Sequence, residues 1–111
     1  DRKPMSEVPH RVSRAWGLSN DPDQRKLIGA YLIVDPGISD AELMKLGRDL
    51  LDYHRDAKIL AVRVYDSEQA ASYDRETDGG KLANDHLVAR IVSDSVRKQR
   101  GMYIRGKWVE L

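Results

Sequence analysis

The segment PGISDAELMKLGRDLLDYHRD, residues 36–56, constrains the fold more than any other part of the chain. Ser39 and Glu42 stand three apart, the spacing of a capping box, in which each side chain satisfies a backbone N–H left unpaired at a helix start. Ile38 and Leu43 occupy the positions of a hydrophobic staple across that entry. Leu43, Leu46, Leu50 and Tyr53, with Met44 and Leu51 beside them, form one apolar stripe at helical spacing. The pattern predicts an amphipathic helix from about Asp40 to His54 that must bury one face. Gly47 inside the stripe weakens the helix by roughly 1 kcal/mol relative to Ala, which close packing on a sheet would explain.

Strand patterns lie on both sides. KLIGAYLIVD, residues 26–35, is apolar on both alternating sets, as in a strand central to a sheet. AKILAVRVYD, residues 57–66, alternates, with Leu60, Val62 and Val64 on one face and Ala61, Arg63 and Tyr65 on the other. SEQAASY reads as a short helix capped by Asp66 or Ser67. HLVARIVSD is a further strand with Leu87, Ala89 and Ile91 facing inward, and MYIRGKWVEL resembles a hairpin turning at Arg105-Gly106. That register sets Tyr103 opposite Trp108, an aromatic cross-strand pair.

The expected fold class is therefore α+β (or α/β). A single sheet of four to five strands carries one long helix on one face, in the order β-α-β-(short α)-β-β. The first two strands either form a parallel crossover pair around the helix or are separated by another strand. Residues 1–25 hold three of the four prolines and read as an extended lead-in, with a short strand around Val12–Trp16; residues 26–111 form the single domain. With 111 residues, a core large enough to fold without metal or disulfide staples is expected.

The sequence contains no cysteine, which excludes disulfides, thiolate zinc sites and cysteine nucleophiles. No G-x-S-x-G element occurs, and His10, His54 and His86 are scattered. His54 fits a helix C-terminus, where an imidazole complements the dipole. His86 beside Asp85 is set against pairing, because adjacent strand residues point to opposite faces. Asp49, Asp52 and Asp56 read as a solvated helix face. An enzyme would have to be assembled from dispersed Asp, His and Tyr side chains, and no cofactor is predicted.

Two constellations suggest ligands. In YDRETDGGKLAND, residues 73–85, Asp74, Glu76 and Asp78 occupy alternate positions before Gly79, as in a calcium loop. Lys81 stands at an apolar position of such loops, and Asp85 is too short for the usual bidentate Glu, so a solvated turn is the stronger reading. GGK lacks the preceding glycine and the following Ser or Thr of a phosphate loop. The second constellation is charge. Residues 86–111 carry six Lys/Arg against two Asp/Glu, residues 35–85 carry seven against twelve, and the whole chain is only +1. Arg90, Arg97, Lys98, Arg100, Arg105 and Lys107 interleave with Tyr103 and Trp108, the combination a single-strand binder uses. The near-neutral total weighs against a nucleic-acid partner and favours cations that keep a sheet edge soluble.

The longest apolar run, Leu27–Val34, has eight residues, short of the ~20 a membrane helix needs. The chain begins at Asp1 and its first methionine, Met5, opens no element, so a mature or trimmed form, with any leader removed, is expected. ISDAELMKLGRDLL followed by KILAVRVYDSEQAA, with HLVARIV and the terminal GKWVEL, resembles small bacterial α/β domains of uncharacterised function, often exported, over residues 25–111. The resemblance implies an α/β fold and export or a cell-envelope location, and marks Tyr65 and Asp66 as positions for a shared binding role. The leading expectation is a non-enzymatic envelope or secreted accessory domain that binds another protein or a small ligand through its sheet or strand-end loops. Tyr65, Asp66, Tyr103 and Trp108 are its candidate binding residues. The alternatives are a divalent-cation module at Asp74, Glu76 and Asp78, or a nucleic-acid binder using the basic C-terminal hairpin.

Overall fold

A computed structural model describes residues 6–17, 27–72 and 81–111. In chain order the elements are β1 (Arg11–Trp16), β2 (Leu27–Ile33), α1 (Asp40–Tyr53), β3 (Ile59–Tyr65), α2 (Glu68–Ser72), α3 (Lys81–Asp85), β4 (Leu87–Asp94), β5 (Gln99–Ile104) and β6 (Lys107–Glu110). All six strands join one sheet in the order of the sequence. β2 and β3 are parallel and every other neighbouring pair is antiparallel.

The α+β class holds, but the expected sheet of four to five strands with one long helix is overturned. The sheet has six strands and the described residues form three helices. The extra strand is β1, expected as a short strand around Val12–Trp16 in the lead-in but not as a member of the sheet; its alternation is broken by a bulge between Val12 and Arg14, and its six residues are all exposed. An edge strand with so little burial leaves no apolar period in the sequence to count. The additional helix is α3, a single turn anchored by Ala83, which is 2 % exposed. Its polar composition and preceding glycines read as loop, because its apolar contribution is only Ala83 and the partly buried Leu82. α1 crosses between the parallel neighbours β2 and β3, so no strand intervenes there.

α1 forms as its sequence dictates. Glu42 N donates to Ser39 Oγ at 3.1 Å, and the Ser39 hydroxyl donates to Glu42 Oε1 at 3.2 Å. At the other end the His54 amide donates to Leu50 O at 3.0 Å. Leu43, Leu46, Leu50 and Leu51 are buried against Ile28, Leu32, Leu60, Val62, Val64, Ala89, Ile91 and Met102 on one face of the sheet. Gly47 lies where a Cβ would come 2.5 Å from Met102 Sδ, so its absence lets α1 settle onto β5. We expect Ser39→Ala, which leaves the Glu42 amide without its acceptor, to cost about 1 kcal/mol. Circular dichroism should register this as a fall of about 4 °C in the melting temperature.

Among the described residues, the opposite face is covered only in part. α2 and α3 place Ala70, Ala71 and Ala83 over Tyr65, with Tyr31, Ile33, Leu82 and Leu87 packed around them. Leu87 was expected to face inward beside Ala89; the register shift opposite Val64 and Tyr65 sends it to this second cluster instead. The chain ends in the expected hairpin, with Tyr103 opposite Trp108. Arg105 and Gly106 both have positive φ, 47° and 86°, the combination a two-residue turn of this hand requires.

Candidate binding face of the sheet

Among the described residues, only the two short helices cover the second face of the sheet, and the strand register arranges its side chains in transverse rows. One row takes a residue from each of the six strands: Arg14 opposite Tyr31, then Arg63, Arg90, Tyr103 and Trp108. The neighbouring row on the same face runs Trp16, Gly29, Ala61, Val92, Gly101 and Glu110. Both tryptophans of the chain therefore lie on this face. Alternation explains the face locally, since the residues between these point to the α1 core.

The tryptophans are folded inward over glycine. A Cβ on Gly29 would collide with Cε2 and Cζ2 of Trp16, and one on Gly101 would collide with the Val109 carbonyl and approach Trp108 Cζ2 to 2.7 Å. The two indoles thus use the space that side chains would fill, and they flank a low floor of Ala61 and Val92. Trp16 packs edge-on to Tyr31 at 5.5 Å, Tyr31 edge-on to Tyr65 at 5.8 Å, and Tyr103 lies 4.9 Å from Trp108 at 60°. Tyr65 is the buried footing of this chain of rings. Trp16, Tyr103 and Trp108 remain 39, 39 and 38 % exposed.

The cations of the row are held by rings. The guanidinium carbons of Arg14 and Arg63 each lie 5.9 Å from the Tyr31 ring centre, and that of Arg90 lies 5.8 Å from Tyr103. Arg63 and Arg90 are direct cross-strand partners. Like charges so placed oppose sheet formation, and each arginine leans to the tyrosine on its outer side. No carboxylate among the described residues pairs with Arg14, Arg63 or Arg90. The centre of the face is thus a paired positive charge between two aromatic flanks.

At the α3 end the face runs into an open hollow of about 560 Å³ walled by Asp66, Asn84, Asp85, Arg90, Tyr103 and Arg105, among others. Beside it, His86 Nδ1 and Asp66 Oδ1 are 2.8 Å apart, and the Asp66 amide donates to the His86 carbonyl at 3.1 Å. The carboxylate accepts from Nδ1–H and orients the ring. His86 therefore pairs with Asp66, across the strand end, and its neighbour Asp85 lines the hollow. Among the described residues of the hollow's wall there is no serine, threonine or cysteine for that imidazole to activate.

Of the residues singled out by sequence, Tyr103 and Trp108 stand on the open face, Asp66 borders the hollow, and Tyr65 is buried at 1 % exposure beneath α2 and α3. The cation candidates Asp74, Glu76 and Asp78 lie outside the described residues, among which no cluster of three metal-ligating side chains occurs. Three of the six cations of the basic C-terminal end are paired with carboxylates. Arg97 faces Asp94 at 3.9 Å, Arg100 pairs with Asp52 at 3.1 Å, and Arg105 bonds Asp40 at 3.1 Å and the Ile38 carbonyl at 2.9 Å. Only Arg90 of that group joins the central row. Arg14, Tyr31 and Arg63, which complete it, and Trp16 in the row beside it escape sequence reading, although the outward set of β3 already holds Arg63. No described helix is long and apolar enough to cross a membrane. Comparison of the chain with models of protein families, with curated proteins and with solved structures returned no match.

Proposed function

We propose that this protein is a non-catalytic binding module whose ligand is anionic and seats on the open face of the sheet. The carrying observation is the Arg63–Arg90 cross-strand pair, two arginines opposed at the centre of the sheet with no carboxylate among the described residues paired to either. An opposite charge at either position would have stabilised the sheet. A bound anion supplies that charge from outside, and the flanking rings offer planar surface to the rest of the ligand. Asp66 lines the adjoining hollow, and its pairing with His86 beside it fastens β3 to the start of β4. Neither the resemblance to exported domains nor the compartment enters this reading.

The two tryptophans make the test direct, because both report from this face. In ¹H–¹⁵N spectra, the indole N–H signals of Trp16 and Trp108 are followed during titration with three polyanions: a 15-residue oligothymidylate, a heparin dodecasaccharide and a poly-glutamate peptide. At least one should shift both indole signals in a saturable manner. If none moves either signal, or the shifts fall instead on the exposed side of α1, the binding-face reading is wrong.

A further inference from the structure

We infer that the ligand of this face is single-stranded nucleic acid, an inference that rests on the binding-module reading and narrows it. The row Arg14–Tyr31–Arg63–Arg90–Tyr103–Trp108 alternates what an unpaired polynucleotide needs. Bases require exposed ring faces, and phosphates require cations not already neutralised by a carboxylate. Here the rings flank the cations. Trp16 stands on one side of the Arg63–Arg90 pair, and Tyr103 and Trp108 stand on the other, all three exposed. Six strands at a spacing of about 4.8 Å make the row about 24 Å across, room for a short stretch of single strand.

The relief of the face fits the same occupant. Between the indoles the floor is only Ala61 and Val92, so a backbone can descend to the guanidiniums while its bases lean on the rings. A duplex offers the phosphates but keeps its base faces stacked away from Tyr103 and Trp108. A sulfated polysaccharide or an acidic peptide offers the charge without the planar groups. Charge and rings are matched together only by unpaired bases on a phosphate backbone.

The experiment is fluorescence anisotropy with labelled oligothymidylate and oligouridylate of 15 residues, alongside a 15-base-pair duplex, between 50 and 300 mM salt. Both single strands should bind more tightly than the duplex, and their relative affinity separates DNA from RNA as the favoured source. Three phosphate contacts set the slope of log K against log salt near −2, at about 0.7 per phosphate. Arg63→Gln and Arg90→Gln should each make that slope shallower by about 0.7. Trp108→Leu should weaken binding about tenfold and leave the slope alone, because it removes a stacking surface and no charge. Arg48→Gln, on the exposed side of α1, should bind as the parent does. Thermal midpoints within a few degrees of the parent show that each variant is folded.

Equal or tighter binding of the duplex overturns the inference, and so does a slope unmoved by both arginine variants. Saturable shifts of both indoles with heparin or poly-glutamate, but none with either oligonucleotide, also overturn it while leaving the binding-module reading in place.

Discussion

Tyr65→Ala should lower the free energy of unfolding by about 3–5 kcal/mol, the range for truncating a buried aromatic. The ring is 1 % exposed and is the only large side chain among the fully buried members of the second cluster. Its neighbours there, Ala70, Ala71 and Ala83, have methyl groups alone with which to close the void. α2 and α3 are five residues each, far too short to be helical by themselves. They are held where they are by docking on this ring. The loss should therefore appear in urea denaturation as a lower midpoint, and in amide exchange as faster opening of α2 and α3 than of α1. Because Tyr65 also supports Tyr31, and Tyr31 supports Trp16, the near-ultraviolet dichroism of the folded variant should weaken. A cost below about 1 kcal/mol would show that the second cluster contributes little to the fold, and that the rings of the binding face lack the footing described here.

The parts of this fold that could be read in advance are those decided within a few residues. α1 is legible because cap, staple and stripe all fall inside residues 38–53 and agree with one another. The facing of Leu60, Val62 and Val64 is legible for the same reason, being an alternation inside one strand. Longer-range relations were not. The hairpin arginines looked like a free basic patch, yet Arg100 and Arg105 meet Asp52 and Asp40, 48 and 65 residues away. The positive row across the sheet depends on five successive registers, and one of them contains a slip that turns Leu87 over. No local pattern encodes a register, so Arg14, Tyr31, Arg63 and Arg90 could be seen singly as outward-facing residues but not as neighbours. Tyr103 and Trp108 were recognised together because a two-residue turn fixes their register directly.

The same strand that carries Arg63 toward the ligand face carries Leu60 toward α1, and the two should respond to truncation very differently. Leu60 is completely buried, on a central strand hydrogen-bonded on both sides, opposite Ile28 and Ser93. It already borders a small apolar void of about 40 Å³ shared with Ile28, Leu50 and Val62. Leu60→Ala merges the volume of the lost side chain with that void. The sheet cannot close on it, because moving β3 toward α1 would break hydrogen bonds to both β2 and β4. The cost should thus lie in the upper half of the range for such truncations, about 4 kcal/mol. A domain of this size has only about 5–15 kcal/mol in total, so the urea midpoint should fall by a large fraction. Arg63→Ala gives up a ring contact worth about 1 kcal/mol but relieves its repulsion with Arg90, so its stability should stay within about 1 kcal/mol of the parent. Measured on protein still folded in dilute buffer, Leu60→Ala should bind ligand as the parent does, while Arg63→Ala should not. Equal stability losses at the two positions would mean that the faces of β3 are not divided between core and ligand. A division of that kind is what lets a sheet tolerate opposed arginines on one side, since the leucines on the other supply the stability that the repulsion removes.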